Sequence, residues 1–144
     1  MANDDLLQRW WKLEAKLTER FGKKPDLETI LFLIGIQEFG QIKEKFTKEQ
    51  KQDLMHIAIC RLLSQSGYYE LKETDEEGWP HFIQLKPMPE MSTIEQENFL
   101  KDHILLYFEN QPPAPKGEYY SFLYEKINSL YYLSFFDTYQ YCTK

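Results

Sequence analysis

The sequence contains few of the residues and motifs from which a function is usually inferred. Its 144 residues include only two cysteines, Cys60 and Cys142, which are too few for a disulfide scaffold and favour reduced thiols in a cytosol. The six glycines are scattered and match neither G-x-G-x-x-G nor G-x-x-x-x-G-K-[ST], and C-x-x-C, H-E-x-x-H and G-x-S-x-G are missing as well. The usual support for nucleotide-binding, zinc-finger, zincin and α/β-hydrolase functions is therefore lacking.

The chain also lacks a long apolar run and a recognisable secretory signal. Residues 30–36 form an apolar stretch of seven residues, whereas a membrane-spanning helix needs about 20. The first residues, Met-Ala-Asn-Asp-Asp, do not follow the basic, apolar and small-residue order of a signal peptide. We therefore expect a cytoplasmic protein without a membrane segment, and its length suits a single domain over residues 1–144.

Positive charge is scarce in the second half of the chain. Residues 1–66 contain 11 Lys or Arg and 10 Asp or Glu, a net charge of +1, whereas residues 67–144 contain 6 and 13, a net charge of -7. An acidic half disfavours nucleic acid as its partner. Aromatic residues are abundant instead, at 16% of the chain, and ten of the 23 lie within residues 119–141.

Residues 26–40 are predicted to form the central helix of the fold. The apolar stretch 30–36 has no polar side, so this helix must be covered on all sides. Asp26 is a suitable N-cap, and Gly40 suits a left-handed C-terminal cap. Gly35 in the middle of the helix costs about 1 kcal/mol relative to Ala, so we expect it to admit the close approach of a neighbouring helix.

An amphipathic helix is predicted before the central helix, at residues 4–21, with Asn3 or Asp4 as its cap. Its apolar positions are Leu6, Trp10, Leu13, Leu17 and Phe21. The adjacent pair Trp10 and Trp11 has two interpretations. Either the pair is an exposed hot spot for a partner, or one Trp lies in the core and the other at its rim, which we favour because Trp is usually largely buried.

A third helix is predicted at residues 47–66, where Thr47 and Gln50 can form a capping box. Its broad apolar arc comprises Leu54, Met55, Ile57, Ala58, Ile59, Leu62 and Leu63. His56 and Cys60 lie four residues apart on the same side of the helix, outside this arc.

A β-hairpin is predicted at about residues 68–86, with Pro80 near the start of its second strand, where an edge strand tolerates proline. A fourth helix follows at residues 92–109, beginning with a capping box of Ser92 and Glu95. Its expected apolar surface comprises Ile94, Phe99, Leu100, Ile104, Leu105 and Phe108.

The chain after this helix begins with a Pro-rich linker at residues 111–117, which is expected to be extended. A fifth helix is then predicted at residues 118–136, with its apolar side against the central helix of the same chain or of a symmetric partner, because its apolar side chains would otherwise form a large exposed patch. The predicted fold is therefore mainly α, with about five helices and one β-hairpin between the third and fourth.

Metal binding is the first chemical function to consider. Asp53, His56 and Cys60 lie at i, i+3 and i+7 on one helical side, and a carboxylate, an imidazole and a thiolate can bind zinc. Such a site would need a fourth ligand from His81, His103 or Cys142. The alternative, which we favour, is a partly exposed histidine beside an inert cysteine, so we expect no metal and no other cofactor.

An acid–base enzyme is less well supported. Any enzyme could use His81 or His103, but the sequence places no nucleophile beside either. Asp102 and His103 point about 100° apart on a helix, so they do not form a preset pair. We therefore expect no enzymatic activity and predict no catalytic residues.

Nucleic-acid binding is suggested only by the order of elements. Two helices followed by a hairpin is the order of a winged helix-turn-helix, with residues 47–66 as the recognition helix. Lysines are available near its start, namely Lys43, Lys45, Lys48 and Lys51. Glu44 and Glu49 offset them, and the acidic hairpin tip would repel a phosphate backbone.

A protein-interaction module is the function that the sequence favours, with a winged-helix-like DNA-binding protein second and a metal-binding protein or enzyme third. Tyrosine is enriched at interfaces because its ring buries area while its hydroxyl finds a partner. A protein partner or self-association as a homodimer is therefore expected. The candidate interaction residues are Trp11, Tyr119, Tyr120, Tyr124, Tyr131 and Tyr132.

Overall fold

The fold is mainly helical, with one antiparallel β-hairpin. The computed structural model describes residues 2–22, 24–41 and 46–110. In chain order, its elements are helix α1 (Ala2–Phe21), helix α2 (Leu27–Phe39), helix α3 (Lys48–Ser64), strand β1 (Tyr69–Thr74), strand β2 (Pro80–Gln84) and helix α4 (Thr93–Glu109). The predicted fold class and the hairpin between the third and fourth helices are confirmed. The described residues contain four helices, and the fifth, predicted at residues 118–136, lies outside them.

The central helix, α2, has the caps that its sequence predicts. The Asp26 carboxylate accepts hydrogen bonds from the backbone N–H and the hydroxyl of Thr29, at 2.8 and 2.7 Å. Gly40 adopts a left-handed conformation with φ 77°, and its N–H donates to the Ile36 carbonyl. All residues from position 29 to 36 are buried, so the prediction that this helix is covered on all sides is confirmed.

α2 and α3 are in close contact at Gly35. A Cβ atom added there would overlap the main-chain carbonyl of Leu54 in α3. Glycine is therefore required by a backbone-to-backbone contact, as its position inside an apolar helix predicts. The buried side chains Ile34 and Ile36 flank this contact and continue the core on both sides of it.

Local capping signals set the starts of α3 and α4. The Thr47 Oγ1 accepts from the Gln50 N–H at 3.1 Å, while the Gln50 side chain accepts from the Thr47 N–H at 2.9 Å. Ser92 and Glu95 make the same reciprocal pair at 3.2 Å in both directions. α1 differs from its prediction, because it begins at Ala2, before the two residues expected to cap it.

α1 packs along α4 and joins the two ends of the described chain. Trp10 is buried, with the Lys101 ammonium 5.3 Å from its ring centroid. Arg9 forms ion pairs with Asp102 at 3.5 Å and with Glu109 at 3.1 Å. These charges are half-exposed, so we expect each pair to contribute well under 1 kcal/mol. The apolar contacts of Trp10 and its helical neighbours therefore supply most of the attachment.

A polar network joins α2, α3 and α4 beside the core. The Arg61 guanidinium pairs with the Glu38 carboxylate at 3.0 Å and lies over the Tyr107 ring, 5.3 Å from its centroid. The Tyr107 hydroxyl is 2.9 Å from Glu38 Oε2 and 3.2 Å from Gln37 Oε1, and the residue is 1% exposed. The network fixes the relative positions of three helices, because each group satisfies a partner on another helix.

The hairpin is attached to the helices by aromatic packing. Trp79, just before β2, is buried and stacks on Phe39 of α2, with ring centroids 4.0 Å apart. Leu71 pairs with Phe82 across the strands, and an irregularity in the register follows it. Phe82 packs against the core, whereas its partner Leu71 is 53% exposed. No helix in the described ranges is long and apolar enough to cross a membrane.

Candidate functional site

The exposed surface of α1 carries a line of apolar side chains, Leu7, Trp11 and Ala15, which we call the α1 stripe. Successive members are four residues apart, so they share one face of the helix. Leu7 is 44% exposed and Trp11 is 58% exposed. Trp10 is buried as we favoured, but the expectation that the second Trp lies at the rim of the core is wrong. The sequence order places Trp11 about 100° from Trp10, on a face that α4 does not cover.

The metal candidates on α3 lie close together but are poorly suited to a metal. Cys60 Sγ is 3.4 Å from His56 Nε2, as the four-residue spacing predicts. Burial raises the pKa of the Cys60 thiol to about 12, which opposes the thiolate that zinc requires. In the part of the chain that the structure describes, no three His, Cys, Asp or Glu side chains are arranged to hold a metal ion.

Cys60 also differs from its prediction. It was expected outside the apolar arc of α3, but its side chain is 0% exposed. β1 covers this side of α3. The pKa of Tyr69 in β1 is raised mainly by burial and, to a smaller extent, by the nearby Cys60. His56 remains exposed, so the pair is an exposed imidazole beside a buried thiol.

The tip of the hairpin lies beside the end of α2, where the Gln41 side chain donates to the Glu77 carbonyl at 3.1 Å. The Asp75 carboxylate accepts from the backbone N–H groups of Glu77 and Trp79, at 3.0 and 2.9 Å, and its second oxygen is 2.8 Å from His81 Nε2. The hydrogen bond from His81 and those from the backbone hold the pKa of Asp75 below its ordinary value. These contacts close the turn between the strands, and they explain His81 as a structural residue of the hairpin.

The described surface near α3 does not resemble a nucleic-acid interface. Glu49 and Asp53 are exposed on α3, and Glu76 and Glu77 are exposed at the hairpin tip. Lys51, expected near a phosphate backbone, is only 4% exposed, and its burial lowers its pKa. Two of the other three candidate lysines, at positions 43 and 45, lie outside the described residues.

A serine–histidine pair lies between the end of α3 and the middle of α4, where the sequence placed no nucleophile. Ser66 Oγ is 2.7 Å from His103 Nε2, and His103 Nδ1 is 2.7 Å from the Phe99 carbonyl oxygen. Ser66 is exposed, whereas His103 is 5% exposed. The Gln65 side chain also donates to the His103 carbonyl at 3.0 Å. The two residues are 37 positions apart, so no local pattern in the sequence could have indicated their contact.

The five candidate tyrosines, Tyr119, Tyr120, Tyr124, Tyr131 and Tyr132, lie outside the described residues, as does the Pro-rich linker at 111–117. Of the candidate interaction residues, the structure therefore places only Trp11. Comparison of the chain with protein-family models, with curated proteins and with solved structures finds no match to any of the three.

Proposed function

We propose that this protein is a non-enzymatic protein-interaction module that binds its partner through the α1 stripe. The observation that carries the proposal is the 58% exposure of Trp11. A tryptophan side chain presents a large apolar area, and such residues dominate the binding energy of many interfaces. Leu7 and Ala15, one helical turn to either side, extend the apolar surface along α1.

The charges around the stripe are consistent with a protein partner. Asp4 and Gln8 are exposed on the same side of α1, and Lys12 is exposed beside them. An apolar centre with a polar rim of mixed sign is the usual composition of a protein interface. The stripe alone is smaller than a standard interface, so other surfaces must contribute, and the tyrosine-rich residues 118–141 are the candidate that the sequence supplies.

A winged-helix-like DNA-binding protein is the second candidate. Its support is the order α2, α3 and hairpin, with α2 and α3 in close contact at Gly35. The exposed carboxylates Glu49 and Asp53 on α3 oppose it, because a recognition helix must approach phosphates and base edges. We therefore rank this function below the interaction module.

Replacement of Trp11 tests the proposed module. We expect Trp11→Ala to weaken partner binding about thirtyfold or more, since a hot-spot residue contributes at least about 2 kcal/mol. The melting temperature should remain nearly unchanged, because the side chain is mostly in water. Ile94→Ala is the matched control, as Ile94 is 71% exposed on α4 and was wrongly expected to be part of the apolar surface of that helix.

The measurement is a pull-down at high salt with the full chain as bait, together with sedimentation to detect a homodimer. A partner or second copy that is lost with Trp11→Ala but retained with Ile94→Ala supports the module. Equal binding by both variants would show that the stripe is not the interface. Salt-sensitive retention on duplex DNA would favour the winged-helix function instead, because phosphate contacts release counterions.

A further inference from the structure

The contact between Ser66 and His103 has the geometry of an activated hydroxyl nucleophile. The Phe99 carbonyl oxygen can only accept a hydrogen bond, so His103 Nδ1 carries a proton in their 2.7 Å contact. In the neutral imidazole, Nε2 is then an acceptor, and the Ser66 hydroxyl donates to it at 2.7 Å. In nucleophilic catalysis, the nucleophile is generally hydrogen-bonded to a base, and a third group orients that base.

The surroundings hold this geometry in place while leaving Ser66 accessible. Gln65 donates through its side chain to the carbonyls of Leu62 and His103, at 2.9 and 3.0 Å, so the end of α3 is fixed to α4. The Phe99 ring packs edge-on against the His103 imidazole, with centroids 4.4 Å apart. The base is therefore buried and oriented, whereas Ser66 is an exposed residue just after the end of α3.

We propose that Ser66 is a site of covalent acylation, with His103 as its general base, for acyl donors that carry a good leaving group, such as thioesters or acyl phosphates. The Ser66 Oγ attacks the acyl carbonyl carbon, an Oγ–C bond forms, and the bond from that carbon to the leaving group breaks. The hydroxyl proton passes to His103 Nε2 and then to the leaving group or to water. The product is an ester on Ser66.

The backbone around Ser66 limits this chemistry to activated donors. The Ser66 N–H donates to the Leu63 carbonyl at 3.2 Å, and the Gly67 N–H donates to the Ser64 carbonyl at 3.1 Å. Neither N–H is directed at a developing oxyanion, and such donors usually supply a large part of the stabilisation in acyl transfer. Ordinary esters should therefore react poorly, and the Ser66 ester should accumulate once per chain instead of turning over.

Acetylation of the full chain by p-nitrophenyl acetate, with the modified residues mapped by mass spectrometry, tests the proposal. Ser92 is the internal comparison, because it is also exposed and its Oγ serves as a helix cap. A positioned general base accelerates reaction by about 10²- to 10⁴-fold, so Ser66 should be acetylated at least about a hundredfold faster than Ser92. Acetylation of both serines at similar rates would overturn the proposal.

Two further measurements identify His103 as the base. In His103→Gln, the Ser66 rate should fall to that of Ser92 while folding, followed by circular dichroism, is retained. In the unaltered protein, acidification should bring the acetylation rate of Ser66 down to that of Ser92, because a protonated imidazole cannot accept the proton of the Ser66 hydroxyl. This second measurement decides the question even if His103→Gln does not fold, and a pH-independent Ser66 rate would show that His103 is only a structural partner.

Discussion

Glu28, in the first turn of α2, is a carboxyl group whose burial affects its protonation. One of its oxygens, Oε2, is buried and has no hydrogen-bond partner among the described residues. Burial, assisted by the nearby charge of Asp26, raises the pKa of Glu28 from 4.5 to about 7. The fold therefore tolerates the neutral carboxyl better than the carboxylate, although negative charge at a helix N-terminus is otherwise favourable.

This raised pKa predicts a pH-dependent stability. Between pH 4.5 and about 7, the unfolded chain loses the Glu28 proton while the folded chain retains it, so the free energy of unfolding should fall as the pH rises. Above about pH 7 the free energy of unfolding should fall no further on account of Glu28. Glu28→Gln has no proton to lose, so it should melt a few degrees higher than the unaltered protein at about pH 8.

Glu49→Gln is the control for this substitution, because Glu49 occupies the first turn of α3 and is exposed. Melting temperatures of the three proteins at acidic and mildly basic pH are the measurement. If Glu28→Gln and Glu49→Gln changed the pH profile equally, burial of the Glu28 carboxyl would not be the cause.

At the scale of elements, the contact of α2 with α3 requires a residue without a side chain at position 35. Gly35→Ala should destabilise the protein by about 1–3 kcal/mol, because the added Cβ overlaps the Leu54 carbonyl and the helices must move apart. Intrinsic helix propensity alone would make the same change favourable by about 1 kcal/mol. The sign of the effect therefore distinguishes packing from propensity.

Chemical denaturation measures the Gly35→Ala effect, and Ala15→Gly on the exposed face of α1 provides the reference. The reference should lose about 1 kcal/mol through helix propensity alone. A stabilised Gly35→Ala variant would contradict the close contact of α2 and α3 and would place the helices farther apart than described.

Elements whose boundaries depend on neighbouring residues could be predicted from the sequence. Asp26 and the capping boxes of α3 and α4 act over three residues, so the chain itself contains the information. Gly35 could be predicted as well, because a glycine inside an apolar helix has few other uses. The hairpin followed from a turn segment between two strand-like stretches.

Features that depend on distant elements could not be predicted. Helical periodicity places Trp11 and Ile94 on a face, but it does not reveal which neighbouring element covers that face. Cys60 is buried because β1 packs over α3, and Ser66 meets His103 because α4 returns to the end of α3. The candidate site is thus the part of the molecule least accessible to sequence reasoning, since each of its contacts joins separate elements.

At the scale of the whole molecule, residues 118–136 are predicted to pack against the central helix of the same chain or of a symmetric partner. The helix predicted at 118–136 carries Phe122, Leu123 and Ile127, whose burial would contribute roughly 1.5–3 kcal/mol each as an upper estimate. We predict that truncation after Asn110 causes aggregation or loss of cooperative melting. Light scattering and a thermal melt are the measurements. A soluble truncated chain with an unchanged melting temperature would refute docking of this segment.

The attachment of α1 has a consequence for the order of folding. The ion pair of Arg9 with Glu109 joins residues 100 positions apart, whereas the contacts of α2 with α3 and of α3 with the hairpin join elements that follow one another in the chain. Because closing a long loop costs more entropy than closing a short one, we expect α1 to dock last. In hydrogen exchange, the amides of α1 should then lose protection before those of α2, and the surface that carries Trp11 would belong to the first helix to detach from the native structure.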